Sequence, residues 1–385
     1  MKKVLEKAAV LSLSLILISA FSVSAALPAM LETFKEYSQE QVEMLISVPS
    51  FSITAMLLAS PWLSRYIKER KIIVGGLLLL SASGMVPVFF QQYSIILGAR
   101  ILLGLGIGMV SAKAVSIISE RYQGEEKTAL LGYRGAAEGL GNAVMTLAAG
   151  QLSAVRWNYA FLVYSLGFLI SFLYLVFVPE KITWKNPEHR SAGKNFSIKG
   201  CAGITGFYAA AAGLLTCVNS GCSLRIPLLV LERGFGTETE ASILLSSMMV
   251  AGIFAGICFG WMAHIFGSRL PVFSFLLTGA GLAVMVFSGN LFLLGTGALI
   301  TGFFYTLSLT CVFNGLSERL PGETVHGATS AVLACCNLCA ACSPIILKGL
   351  QRLDSKTGTP LLVYACGAVL IGGMILLKER SWKSV

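Results

Sequence analysis

Three polar residues recur at four-residue steps within one otherwise apolar stretch of the sequence, residues 129–152. Arg134, Glu138 and Asn142 would lie along one face of a helix, because residues four apart are neighbours on its surface. Glu138 is the only carboxylate that we place deep within an apolar stretch. Such a carboxylate, one turn from an arginine, is a group that can load and release a proton. The stripe therefore predicts a proton-carrying site, with a structural ion pair or a lipid-facing Glu138 as the alternatives.

Other polar side chains are embedded in apolar stretches: Arg100, Lys113, Arg225, Asn219, Asn314 and Asn337. Lys113 lies about 140° around a helix from Arg100, so the two side chains do not face one point. Arg225 is expected to line a vestibule or to end its stretch, and each asparagine is expected to bond a neighbouring helix. Glu43, near the end of its stretch, is expected to face water.

The composition places these residues in a membrane. Hydrophobic residues make up 55% of the chain and charged residues 12%, and the mean hydropathy is +0.77. A soluble surface needs roughly a quarter charged residues, so the chain is expected to be an integral membrane protein. We find no Walker loop, metal-ligand cluster or nucleophile elbow in the sequence. Neither ATP-driven pumping nor hydrolysis is therefore indicated, and no catalytic residue, cofactor or metal site is predicted.

Within a membrane, Arg100 becomes a constrained residue. It lies a few residues inside its stretch, where an unpaired charge costs about 3 kcal/mol or more. It needs a partner or an aqueous cavity, unless its side chain reaches the membrane surface. Gly104 and Gly108 follow on the same face and allow either close helix packing or a cavity beside it.

About twelve stretches have the roughly 20 apolar residues that a helix needs to cross the hydrocarbon core. They are residues 8–29, 41–63, 72–90, 94–118, 129–152, 158–178, 201–230, 241–263, 270–288, 290–316, 325–349 and 358–377. The first resembles a cleavable signal peptide. We favour an uncleaved first helix, because the apolar stretch continues to Pro28.

The two halves of the sequence repeat one another. The turn at 60–71 is echoed by 260–269, the segment 119–125 by 317–323, and Pro28 by Pro227, each about 200 residues later. The repeat predicts two parallel six-helix bundles, residues 1–178 and 201–385, related by a pseudo-twofold axis and joined by a connector at 179–200. The predicted fold class is an all-α membrane protein of 12 transmembrane helices.

Basic residues set the expected orientation. If the amino terminus is cytoplasmic, Lys and Arg on that side outnumber those on the other side by about three to one. We therefore predict that both termini and the connector are cytoplasmic. The net charge of +10 is then a topology signal, and no nucleic-acid partner is expected.

All ten cysteines lie in the second half, from Cys201 to Cys366. Cys335, Cys339 and Cys342 share one helical face, an arrangement conceivable for a soft metal. Packing is favoured instead, because cysteine behaves as a small apolar residue that lets membrane helices approach closely. No disulfide framework is predicted.

Two motifs together resemble the major facilitator superfamily of secondary transporters. The turn with Gly260, Ala263, Gly267 and Arg269 is similar to the family's loop Gly-x-Leu-Ala-Asp-Arg-x-Gly-Arg-Lys, with His264 in place of the acid. The first-half turn keeps Arg65 and the basic run that follows it, and it also lacks the acid. The stretch 97–106 resembles the family's membrane-embedded arginine motif.

The resemblance implies a latch between the halves on the cytoplasmic side and a role for Arg100 in proton transfer. The residues assigned to this cytoplasmic gate are Arg65, Gly260, His264, Gly267, Arg269, Glu120 and Arg121. Residues 141–150 keep only the terminal glycines of the signature of drug/proton antiporters, so the resemblance to that signature is incomplete.

The sequence thus predicts a secondary active transporter of a small organic solute, working by alternating access with its site at the midplane. Proton-coupled efflux through Glu138 is the preferred mechanism. The predicted substrate and proton pathway comprises Glu138, Arg134, Arg100, Asn142, Lys113, Arg225 and Asn337. The expected partners are the solute, a proton and membrane lipid, and the protein is expected to be a monomer in the bacterial plasma membrane.

Alternatives remain open at this point. One is an organic-anion carrier or a facilitator without proton coupling, with Arg100 and either Lys113 or Arg225 as charge partners. From another class, a lipid flippase or a non-transporting membrane sensor also fits the sequence.

Overall fold

A computed structural model describes residues 2–179, 202–320, 322–354 and 356–382. The first helical segment is broken: α1 (Lys2–Ser12) leads through three short 3-10 turns to α2 (Leu27–Thr33), with a bend of 49°. Pro28 stands in the first turn of α2. A proline there lacks only an amide proton that has no partner in any case, so it favours a helix start. Leu13, Val23 and Leu27 are fully buried, so this segment is part of the core.

The rest of the first half consists of long helices joined by short turns. They are α3 (Gln39–Tyr66), α4 (Glu69–Phe89), α5 (Tyr93–Arg121), α6 (Gly124–Ser153), and a 3-10 stretch (Trp157–Ser165) that continues as α7 (Leu166–Phe177). The predicted connector, residues 179–200, lies outside the described residues except for Pro179. We call the membrane face where α7 ends the connector face, and the opposite one the far face.

The second half has a similar layout. It comprises α8 (Ala202–Glu232), α9 (Glu238–Phe266), α10 (Leu270–Val286), α11 (Leu291–Arg319), α12 (Gly322–Ala341), α13 (Ser343–Gln351) and α14 (Thr359–Trp382). The helices α12 and α13 meet at a bend of 57°, and Pro344 stands in the first turn of α13. The predicted stretch 325–349 is therefore a bent pair of helices.

One local device recurs at the start of the second long helix of each half. Ser38 and Gln41 form a capping box before α3, and Thr237 and Glu240 form one before α9. In such a box two otherwise unpaired amide groups of the first turn are satisfied reciprocally by side chains. The same cap in equivalent places agrees with the repeat seen in the sequence.

Every predicted apolar stretch coincides with a helical segment, and the predicted all-helical fold is confirmed. Within the described residues, eight segments are long and apolar enough to cross a membrane, or up to ten if each bent pair is one span. One of the eight, Glu238–Val286, contains both α9 and α10, and α6 is not among them. The count of 12 spans stays a prediction.

Several helix pairings join the halves. The α3 helix packs on α12 and α13, α6 packs on α9, and the broken first segment packs on α8 and α9. Within the first half, α3 packs closely on α5. A Cβ atom on Gly104 would lie 2.4 Å from the carbonyl oxygen of Pro49, so only glycine permits this approach. Gly104 and Gly108 therefore provide close helix packing and not a cavity.

Candidate functional site at the junction of the two halves

A buried ion pair joins the two halves near the far face. Glu43 lies one turn into α3, and Arg225 lies about two turns from the end of α8. The Nη1 atom of Arg225 donates to Oε1 of Glu43, and both side chains are 1% exposed. Gln39 donates to the same carboxylate at 2.7 Å. Removing one partner of such a buried pair typically costs about 3–5 kcal/mol, because the other charge is left buried and unpaired. The contact joins the far ends of α3 and α8.

The expectation that Glu43 faces water is wrong. Its position near a helix end favoured exposure, but α8 from the other half covers it with a cation 182 residues away in the sequence. The sequence held one signal for this pairing. An arginine embedded in an apolar helix needs a partner, such as an acid at the same depth in the membrane. Glu43 and Glu40 are the carboxylates near the corresponding end of α3.

Further contacts between the halves surround this pair. Lys348 of α13 forms a partly exposed ion pair with Glu40 of α3. The hydroxyl of Ser47 donates to the carbonyl of Ala341 at 3.2 Å. On the other seam, the hydroxyl of Ser246 donates to the carbonyl of Ala143, on α6, at 2.9 Å. These contacts all lie in the half of the molecule toward the far face, so the halves are closed on each other there.

Of the three residues in the predicted stripe on α6, the structure brings only Arg134 and Glu138 into contact with each other. Arg134 and Glu138 form an ion pair on the helix surface, and both side chains are largely buried. The amide oxygen of Asn142 accepts a hydrogen bond from Ser22 of the broken first segment at 3.1 Å. Glu138 lies about 21 Å along α6 from its connector-face end. The neighbouring Gly139 faces Ile253 of α9, so the ion pair lies beside the seam between the halves.

Arg100 is fully buried inside the first half. Its guanidinium donates to the carbonyls of Leu45 at 2.6 Å, Ala20 at 2.5 Å and Ile46 at 3.2 Å, and to the hydroxyl of Tyr164 at 2.7 Å. These partners are all neutral, and the ring of Tyr164 lies 5.6 Å from the guanidinium carbon. A cation over an aromatic face is stabilised by the ring quadrupole. In this conformation Arg100 holds three helical segments together and does not line a cavity.

Asn337 and Asn314 bond within their own helices. The amide of Asn337 donates to the carbonyl of Leu333 at 3.1 Å, and that of Asn314 donates to Glu318 at 2.7 Å. The expectation of bonds to neighbouring helices is therefore wrong for these two. Lys113 is half-buried on α5, at a different depth from the ion pairs described above.

The predicted gate residues lie at the connector face, and the side chains described among them form no cluster between the halves. The positions Arg65, Gly260, His264 and Arg269 are exposed. Gly267 ends α9 with a φ of +52°, a conformation that favours glycine. The side chain of Glu120 lies outside those that the structure describes.

The polar contacts that can be described at this face lie within one half. Arg121 bonds Glu6 at 3.3 Å and the carbonyl of Pro179 at 3.1 Å, and Lys7 pairs with Glu126 at 2.5 Å. In the second half, the guanidinium of Arg319 lies 5.8 Å from the ring of Tyr208. Gate residue Arg121 thus fastens helix ends within the first half.

A cavity of about 540 Å³ opens in the second half near the connector face. Its wall is mainly apolar, from α8, α9, α10, α11 and α14. Its polar lining includes Ser268, Asn314, Glu318 and Arg319.

The cysteines pack in the second half. The thiol of Cys335 donates to the carbonyl of Ala209 at 3.6 Å, and a Cβ atom on Gly213 would lie 3.0 Å from the sulfur of Cys339. Among the described residues, no three His, Cys, Asp or Glu side chains come together as a group able to hold a metal ion. Cys201 lies outside the described residues.

Long apolar helices in two halves, with charged residues buried between them, have the arrangement of a multi-pass membrane protein, and paired helical bundles are how many secondary transporters are built. The profile of the Major Facilitator Superfamily matches residues 9–344, and the chain belongs to this family. It is therefore a membrane transporter by family, and the expected resemblance is confirmed.

Two bacterial proteins show similarity in sequence. The chain is 29% identical over 80 residues to the cyanate transport protein CynX of Escherichia coli, a match that spans 21% of each protein. It is 23% identical over 329 residues to Multidrug resistance protein 2 of Bacillus subtilis, covering 82% of this chain and 79% of that protein.

Solved structures share the fold at lower identity. A bacterial homologue of the human lysosomal transporter Spinster, in an inward-facing and occupied conformation, superposes with a TM-score of 0.76 over 98% of this chain and 96% of that one, at 14% identity. Its inward-facing unoccupied form gives a TM-score of 0.72 over 97% of this chain and 94% of that one, also at 14% identity.

Proposed function

We propose that this protein exports a small organic solute across the bacterial plasma membrane by alternating access. The observation that carries the proposal is the distribution of contacts between the halves. They meet through a buried ion pair at the far face, whereas the connector-face contacts described above lie within each half. Rocking one half against the other exchanges which face is closed, and the solute binds between the halves near the midplane.

The predicted orientation gives this conformation a direction. With both termini in the cytoplasm, the connector face is cytoplasmic, and the solute enters from inside the cell. Efflux is supported by the similarity to Multidrug resistance protein 2, which extends over most of both chains.

Glu138 is the proposed proton carrier. It is one of the few carboxylates embedded in the bundle, it is paired with Arg134, and it lies beside the α6–α9 seam where the halves move past each other. A proton bound to its carboxylate releases the cation of Arg134 and changes the charge at the seam. Proton binding is thereby linked to the position of the halves.

Flux in sealed vesicles tests the mechanism. The purified protein is reconstituted, and a panel of small organic cations, neutral solutes and carboxylates is screened for movement with and without a pH gradient. At least one solute should move faster when the gradient is applied. Glu138→Gln should lose this acceleration and keep solute exchange, because glutamine keeps the size and hydrogen bonding but cannot cycle its charge.

Glu126→Gln is the matched control on the same helix, since Glu126 pairs with Lys7 at the connector face. It should leave the pH dependence unchanged. A folded Glu138→Gln protein whose flux still follows the gradient rules out this residue as the carrier. Solute binding without any flux would instead favour a sensor, and lipid movement without solute flux would favour a flippase.

A further inference from the structure

The buried arginine at the junction of the halves is incompletely bonded. Nε of Arg225 has no hydrogen-bond partner among the described residues, although the side chain is 1% exposed. Nη2 of Arg225 reaches the second oxygen of Glu43 only at 3.5 Å. A guanidinium presents a planar fork of donors that fits a carboxylate through two parallel hydrogen bonds. Glu43 therefore accepts only one short hydrogen bond from this fork, and Nε of Arg225 remains available as a donor.

A second unpaired polar atom lies on α14, the helix that packs on α8. The hydroxyl of Tyr364, on α14, is buried and has no hydrogen-bond partner within the described part of the chain. Buried polar groups in native proteins are normally hydrogen-bonded, and exceptions call for an explanation such as a bound water, an ion or a functional role.

Gly221 brings these groups together. It lies one turn before Arg225 on α8, and a Cβ atom there would be 2.8 Å from the ring of Tyr364. The ring therefore packs directly on the helix backbone, on the face that carries Arg225. The glycine sets the position of the phenol relative to the guanidinium.

We propose that Arg225 and Tyr364 form a binding site for a small organic carboxylate, and that Glu43 occupies this site when the far face is closed. This inference rests on the proposed alternating access, since Glu43 leaves Arg225 only when the far ends of α3 and α8 separate. The solute carboxylate then takes the donors of Arg225, with Nε and the phenol as additional donors. Glu43 takes up one proton as it loses its cation, so the buried charge stays balanced while the anion occupies this site on its way out through the opened far face.

The surrounding groups allow this exchange. On α3, Glu40 lies next to Gln39, the amide partner of Glu43, and is itself paired with Lys348 from α13. From α5, Tyr93 donates to the carbonyl of Gln41 at 3.0 Å, and Arg100 is held by carbonyls further along α3. The thiols of Cys217, Cys222 and Cys339 lie near Tyr364. Glu43 is thus the carboxylate in direct contact with Arg225.

Binding to the purified full-length protein tests the proposal, with acetate and benzoate as probes and acetamide and benzamide as their neutral counterparts. We expect at least one acid to bind at least tenfold more tightly than its amide, with affinity that falls as the pH rises from 6 to 8. Glu43→Gln should bind that acid about tenfold more tightly at pH 8 and lose the pH dependence, because the internal competitor is gone. Glu32→Gln, an exposed acid of α2 near the same face, should behave as wild type.

The doubly neutral variant Glu43→Gln with Arg225→Gln guards against a folding defect, because it leaves no unpaired buried charge. It should fold and bind neither acid. The proposal is overturned if neither acid binds the wild type, if folded Glu43→Gln shows unchanged affinity, or if the double variant binds as the wild type does. Solute flux that persists in the double variant would keep the transport proposal while removing the anion site.

Discussion

Arg100 and Arg225 are both buried arginines about 10 Å from the far end of their helices, yet they are held in opposite ways. Arg100 is bonded to carbonyls and a tyrosine of its own half. Arg225 is bonded to a carboxylate of the other half. Carbonyl dipoles of a packed helix cannot be switched off, whereas a carboxylate loses its charge when it takes up a proton. One arginine is therefore a fixed part of a bundle, and the other is a contact that can be released.

The largest effect on stability is expected from replacing Arg100, the arginine that is bonded within its own half. Arg100→Met should lower the free energy of unfolding by about 3 kcal/mol or more, because it leaves three buried carbonyls and the hydroxyl of Tyr164 short of a donor. Thermal unfolding of the purified protein and its folded yield measure this. Arg156→Met at an exposed turn is the control and should change stability by less than about 0.5 kcal/mol. A fully stable Arg100→Met protein would contradict the structural role of this residue.

Replacing Arg225, the releasable arginine, should lower the free energy of unfolding nearly as much. A second substitution, at Glu43, should reverse most of that loss. Arg225→Met alone should cost about 3–5 kcal/mol, because it leaves Glu43 buried and unpaired. Arg225→Met combined with Glu43→Met should recover most of the loss, since similar-sized apolar residues can replace a buried pair. The same thermal unfolding measurement checks both. If the double variant is no more stable than the single one, the energetic coupling of the pair is refuted.

The smallest of these effects is expected at the glycine beside the releasable arginine. Gly221→Ala should destabilise the protein by about 1–3 kcal/mol, because the added methyl group forces the ring of Tyr364 away from α8. Gly203→Ala, on the same helix with open space around it, should be neutral or slightly stabilising. Equal effects at the two glycines would show that the close packing of Tyr364 is not needed.

The sequence alone predicted the helices but not the releasable contact. Long apolar stretches, the repeat of the turns and the embedded Arg100 are local patterns, and each matched a helix or a buried site. The pairing of Glu43 with Arg225 is not local, because it depends on how two helices 182 residues apart are docked. The bend before α13 had a local signal, because Pro344 follows it directly. The break in the first segment, between Ile16 and Ser19, has no proline beside it.

The central claim is that the halves separate at the far face when Glu43 releases Arg225. Pulsed electron paramagnetic resonance tests this on the reconstituted, cysteine-free protein. It measures the distance between spin labels at positions 36 and 354, one at the far face of each half. We predict a single short distance in the wild type at neutral pH, and an added longer distance in Glu43→Gln. A second pair, at positions 65 and 264 on the connector face, should shorten in the same population. Unchanged distances at both faces in a folded Glu43→Gln protein would contradict the account.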